Sequence, residues 1–138
     1  MSNNVKIVRQ FLRKLDFDLQ KPFLDKGENP NVEMSIDIDA GKIAEDSYEI
    51  SLKIKSTAKE VFSCDVHYCG IFNINDFPSN EGKEQTLLAY CPTILFPFIR
   101  QIIHNTTAIG LPFPIMLDPI DFYALHEKRK LQINKTAH

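Results

Sequence analysis

The hydrophobic pattern changes period along the chain, and that change constrains the fold more than any single motif. Four early segments alternate with period two. Leu15, Phe17 and Leu19 oppose Asp16 and Asp18, and Val32, Met34, Ile36 and Ile38 oppose Glu33, Ser35, Asp37 and Asp39. Tyr48, Ile50, Leu52 and Ile54 oppose Glu49, Ser51, Lys53 and Lys55. In the fourth segment Phe62, Cys64, Val66, Tyr68, Phe72 and Ile74 share one side with Gly70. Successive strand residues point to opposite faces, so each segment reads as a strand buried on one side only. Such strands build an antiparallel sheet with one face in water. Gly70, on the apolar side, marks a bulge or a close backbone approach.

Beyond Ile74 the period becomes helical. Pro92 suits a first helical turn. With residues set 100° apart, Ile94, Leu95, Phe96, Phe98, Ile99, Ile102, Ile103 and Ile109 fill an arc of roughly 200°. Thr93, Arg100, His104 and Thr107 take the remainder. A surface helix needs a stripe nearer 100°, so this one is predicted to be covered on two sides. Pro97 is expected to kink it or mark its true start, and Gly110 to end it. A second helix is predicted from Pro119, capped by Asp118, with Phe122 and Leu125 turned inward. Strands followed by helices make an α+β fold, a four-stranded antiparallel sheet with two C-terminal helices. The length of 138 residues fits one domain, placed at 1–126. Residues 127–138 read as a flexible basic tail, with Lys128, Arg129, Lys130 and Lys135 against Glu127 alone.

Two long connections, QKPFLDKGENPN and NDFPSNEGKEQ, carry the proline and glycine of loops. The first, with the segment after Gly110, holds an apolar surplus: Phe23, Leu24, Leu111, Phe113, Ile115 and Met116. Loops are normally polar, so such a set reads as an exposed apolar patch or groove. Aromatic and methionine side chains there suit promiscuous binding.

The chemistry of sites is sparse. A net charge of -2 gives no basic field for nucleic acid. No run approaches the roughly 18 apolar residues of a membrane span, and the N-terminus has no signal-peptide pattern. Cys64, Cys69 and Cys91 then read as reduced thiols of a cytoplasmic protein. His67, His104 and His126 lack ligand spacing, so no metal is expected, and no nucleotide or nucleophile motif implies a cofactor or catalytic residue. Cys91, before the expected helix start, is the one thiol placed where a thiolate would gain stability. A small thiol-dependent enzyme or ligand-binding domain is the alternative that this allows.

The stretch GIFNI…LLAYCPTILFPFIRQIIHNTTAIGLPFPIMLDPIDFYAL resembles the SecB family. The family's signature stands here as Ala89, Tyr90, Cys91, Pro92, Ile94, Leu95, Phe96, Pro97, Phe98 and Arg100. The resemblance implies an ATP-independent chaperone that binds unfolded preproteins in apolar grooves and passes them to SecA. It implies a homotetramer, a dimer of dimers in which paired sheets sandwich the long helices, with Ile99, Ile102 and Ile103 at the interface. Client binding would fall to Phe23, Leu24, Phe113, Met116 and Phe122, and SecA docking to Asp16 and Asp65. Three positions depart from the family's pattern: Gln20 stands where an acid is expected, Ser63 where an apolar residue is, and the tail is basic. A SecB-like chaperone dedicated to one partner, such as an antitoxin, is the alternative within the family.

Overall fold

The computed structural model describes residues 4–136. Four strands come first: β1 (Val5–Leu19), β2 (Val32–Ala44), β3 (Ser47–Ala58) and β4 (Phe62–Ile74). They form one antiparallel sheet in the order β1-β4-β3-β2. A helical segment α1 follows over Asn80–Gly110, then α2 over Phe122–Thr136. The predicted α+β layout is the observed one.

The alternation sorts as expected. Ile50, Leu52, Ile54, Cys64, Val66 and Phe72 on the two central strands are fully buried under the helices. β1 begins much earlier than its alternation suggests. Its register with β4 shifts between Ile7 and Arg9 and again between Leu12 and Lys14. Each shift displaces the period by one residue, which hides a strand from a period-two reading.

The long helix also begins early, inside the segment read as a polar loop. Ser79 caps it, its hydroxyl accepting from the Gly82 N–H at 2.9 Å. Residues 80–85 bury nothing, so no apolar period announces them. Thr86–Tyr90 forms a π-turn in which the Cys91 N–H donates to the Thr86 carbonyl. Pro92 follows and has no N–H to give, and the widened turn makes room for its ring within the helix. Pro97 neither breaks nor starts the helix, which runs on to Gly110. Gly110 is the last helical residue, and a Cβ there would fall 2.7 Å from the Phe17 ring. It permits close packing and is not a left-handed cap.

Gly70 settles as the close approach. A Cβ on it would meet Leu95 Cδ2 and the Phe72 ring, each at 2.8 Å. Leu95, Ile99, Ile103 and Thr107, spaced one turn apart, seat α1 on the sheet and are fully buried. This helix is long and apolar enough to cross a membrane by composition, but that stripe is packed as a core helix.

Asp121, not Asp118, caps α2, accepting from the Ala124 N–H at 3.1 Å. The helix then passes Leu125 without a break and continues to Thr136. Arg129 Nη2 donates to the Ile36 carbonyl of β2 at 2.7 Å, and Lys130 pairs with Glu81 at 2.9 Å. Of the segment 127–138 read as a tail, residues 137 and 138 lie outside the described residues.

Thr107 is the peg on which the connection after α1 hangs. Its hydroxyl donates to the Ile103 carbonyl and accepts from the Ile115 N–H, both at 2.8 Å. Thr107→Val keeps the shape and leaves the buried Ile115 N–H unmet, at a cost of about 1–3 kcal/mol. Denaturant unfolding should show that loss, and the Ile115 amide should exchange faster. An unchanged midpoint would show that the peg carries nothing.

Candidate functional site

Two apolar connections leave the same end of the sheet. The first, residues 20–31, follows Leu19 and is tied down by polar contacts. Gln20 and Lys21 donate their N–H groups to the Val61 carbonyl at 2.8 and 3.0 Å. Lys21 Nζ reaches both oxygens of Glu28, at 2.9 and 3.0 Å, and Glu28 Oε1 also accepts from the Asp25 N–H. That pairing holds the Glu28 carboxyl below its usual range, the lysine hydrogen bond being the main cause. Gly27 turns the chain with φ 82°, a conformation that suits glycine. On this clamp Leu24 packs inward against the core, while Phe23 is 81% exposed.

The second connection, residues 111–121, starts where Gly110 rests on Phe17 and Leu19. Ile115 and Leu117 point into the core. Phe113 and Met116, 46% and 62% exposed, point out. Thus the apolar surplus divides. Leu24, Leu111, Ile115 and Leu117 anchor the connections, and Phe23, Phe113 and Met116 stand in water.

Phe122 is a core residue, 1% exposed, set edge-on to Phe96 with ring centroids 5.8 Å apart. What it offers is a wall of a cavity of about 270 Å³, shared with Thr93, Phe96, Pro97, Arg100, Pro119 and Ile120.

The wide arc of α1 also divides, and this corrects the interface assignment. Ile99 and Ile103 are fully buried within the single chain, because their side of the helix faces its own sheet. A charge at either would disrupt the subunit core rather than pry two subunits apart. The uncovered flank carries Ile94 and Ile102, both partly buried, with Phe98 and Ile109, 45% and 88% exposed. Beside it the helix-side row of β1 shows Ile7, Leu12 and Leu15, all above 40% exposed. The bulges conceal Ile7 and Leu12 from a period-two reading of the sequence.

On the water side of the sheet Asp16 and Asp65 lie directly opposite each other across β1 and β4. Asp16 is exposed, Asp65 is partly covered, and Lys55 of β3 stands across from Asp65. Neither acid has an ion-pair partner among the described residues.

The thiols are placed for packing. Cys91 lies inside the helix, not before its start, and burial pushes its pKa up to about 12. Cys64 is pushed up to about 11, by burial first and then by Asp65 and Asp16. Thiols so shifted stay protonated and make poor nucleophiles at neutral pH. Among the described residues no group of His, Cys, Asp and Glu could hold a metal.

Apolar side chains are thus held out on tethered loops, and the buried thiols of Cys64 and Cys91 stay neutral. Comparison with known proteins gives the family. The family described as Preprotein translocase subunit SecB matches residues 1–133. The Protein-export protein SecB of Wolbachia pipientis is 35% identical, covering 98% of this chain and 95% of its own. That of Ruegeria pomeroyi is 34% identical, covering 88% and 79%. A SecB-like chaperone of Mycobacterium tuberculosis, solved with a peptide from an antitoxin, shares the fold. Its TM-score is 0.64 at 16% identity, with 86% of this chain and 89% of that one covered. The chain belongs to the SecB family of protein-export chaperones.

The raised thiol values make a direct prediction. At pH 8 Cys64 and Cys91 of the native protein should resist iodoacetamide, and both should label fully in denaturant. Mass spectrometry counts the adducts. Rapid native labelling of Cys91 would mean that its burial is not maintained in solution.

Proposed function

We propose that this chain is a cytoplasmic, ATP-independent holdase that binds unfolded preproteins and delivers them to SecA. The observation that carries the reading is the pair of tethered loops that hold Phe23, Phe113 and Met116 out at one end of the sheet. Leu24 anchors the first loop beside them, and the cavity lined by Phe122 is of a size to take an apolar side chain. Each apolar side chain of a client buried there would contribute about 1.5–3 kcal/mol by transfer. A long unfolded client reaching several such sites would gain avidity through effective concentration. Holding of this kind needs no reacting residue and no cofactor.

The working form is proposed to be a homotetramer, a dimer of dimers. What supports it is apolar area left over by the subunit: Ile7, Leu12 and Leu15 on β1, and Phe98, Ile102 and Ile109 on α1. β1 is also an edge strand, with backbone groups free to pair with a second copy. Ile102 stays in the proposed interface, and Ile99 and Ile103 leave it.

Asp16 and Asp65 are proposed to meet SecA. Like charges directly opposite on a sheet face are destabilising, so a cationic partner would relieve a cost that the free protein bears. Such contacts set association rate and specificity more than affinity, and salt screens them. With Gln20 and Ser63 replacing an acid and an apolar residue, the interaction is expected to be weak.

The experiment is binding to a reduced, unfolded preprotein. Phe23→Ser with Phe113→Ser should weaken binding about tenfold or more, given the transfer energies above, and leave the assembly size intact by light scattering. Unchanged affinity would place the client groove elsewhere. Asp16→Lys with Asp65→Lys should leave client binding intact and abolish calorimetric heat with SecA at low salt. SecA binding that ignores both reversals would remove the acidic pair from the reading.

A further inference from the structure

The water side of the sheet carries a second charged region, opposite in sign to the one just described. Lys6, Arg9, Phe11 and Lys14 pair with Asn73, Ile71, Cys69 and His67 of β4, which places all four on the water side of β1. Arg13, in the second bulge, joins them by pairing with Glu49 of β3 at 3.0 Å. The two guanidiniums lie over the Phe11 ring, with Arg9 Cζ at 5.0 Å and Arg13 Cζ at 5.2 Å from its centroid. Beneath, Cys69 is fully buried, its Sγ 3.5 Å from the Ser51 hydroxyl, though it faces the solvated side. Of Lys6, Arg9, Arg13 and Lys14, only Arg13 has a carboxylate within ion-pair distance among the described residues.

Cations on an edge strand commonly serve only to prevent edge-to-edge aggregation. That role needs charge, and lysine fills it. It does not account for an aromatic ring kept on the wet side between two arginines. Stacking on the ring steadies a planar fork, so less entropy is lost when a carboxylate is captured. Arg13 also gives Nη2 to Glu49, and Arg9 has no carboxylate within ion-pair distance among the described residues. Arginine and aromatic residues together are the composition of interface hot spots.

We propose that the Arg9–Phe11–Arg13 stack, flanked by Lys6 and Lys14, is a docking site for a short acidic segment of a partner protein. Charge complementarity sets the sign of that partner, and the neighbouring residues limit its length. At about 3.3 Å per residue the stretch from Lys6 to Lys14 spans roughly 26 Å, enough for some eight residues of extended peptide. Beyond Lys14 the same face turns acidic at Asp16, Asp18 and Asp65. A long uniform polyanion such as RNA continuing past Lys14 would run into those carboxylates, whereas a short run of Glu and Asp ends before them. The site lies across the sheet from α1, so it is separate from the apolar loops and from the apolar rows of α1 and β1.

The test uses the full-length protein and a fluorescent eight-residue glutamate peptide, read by anisotropy at low and moderate salt. The peptide should bind at low salt and weaken as salt rises. Arg9→Gln with Arg13→Gln should reduce affinity about tenfold, the scale of charge-assisted pairs lost, with circular dichroism and unfolded-client binding unchanged. Arg9→Lys with Arg13→Lys keeps the charge and should still lose some of the affinity, because the stacked forks are gone. Absence of peptide binding would overturn the proposal, as would binding insensitive to the glutamine pair. Full binding by the lysine pair would reduce the site to general charge. Tighter binding of a short RNA with the same sensitivity would make the partner a nucleic acid, and the proposal would be wrong.

Discussion

Everything else in this subunit depends on how closely α1 sits on the sheet. Gly70 removes the side chain that would otherwise hold the helix off, and Leu95 fills the place. One turn at a time, Ile99, Ile103 and Thr107 continue the contact to the far end, where Gly110 comes down on Phe17. Interiors packed at this density do not tolerate an added carbon without rearrangement. The seat fixes the helix rotation, and the rotation decides which apolar residues remain uncovered. Ile94, Phe98, Ile102 and Ile109 are left on one flank, and the exit of the chain after Gly110 is aimed past Leu19 to the end of the sheet where the first connection also leaves.

Much of this is legible in the sequence, because the two periods are physical consequences of backbone geometry. Central strands β3 and β4 pair without a register shift, so their core-facing rows can be read residue by residue, though Ser51 and Cys69 are buried on the other side as well. β1 resists, since two bulges each shift the alternation by one position. The first turns of α1 resist for another reason: they bury nothing, and their only signal is the Ser79 cap. The wide arc of α1 announces more apolar surface than a surface helix needs. Assigning its residues to one side or the other requires the helix rotation, which no period supplies. Ile99 and Ile103, expected at an interface, therefore turn out to belong to the subunit core.

The apolar surplus in the loops is visible as composition, but composition does not separate anchors from displayed groups. Thr107 and the Lys21–Glu28 clamp make that separation. Each holds a connection by hydrogen bonds, so Leu24, Ile115 and Leu117 can turn inward while Phe23, Phe113 and Met116 stay out. Phe122 shows the converse: an aromatic near the displayed set that is core, because the Asp121 cap starts α2 immediately before it and turns it onto Phe96. On the opposite face the charge of β1 is segregated into cations near its start and carboxylates near its end, with Phe11 among the cations. The displayed apolar side chains and the charged rows of β1 thus occupy different surfaces.

The central claim is that unfolded chains are held at the displayed loop residues. Site-specific photocrosslinking tests it most directly, with a benzophenone amino acid at position 23, at 116, or at 35 on the exposed water side of β2. An unfolded preprotein should crosslink efficiently from 23 and 116 and weakly from 35. Crosslinking that is equal from all three positions, or strongest from 35, would contradict the account.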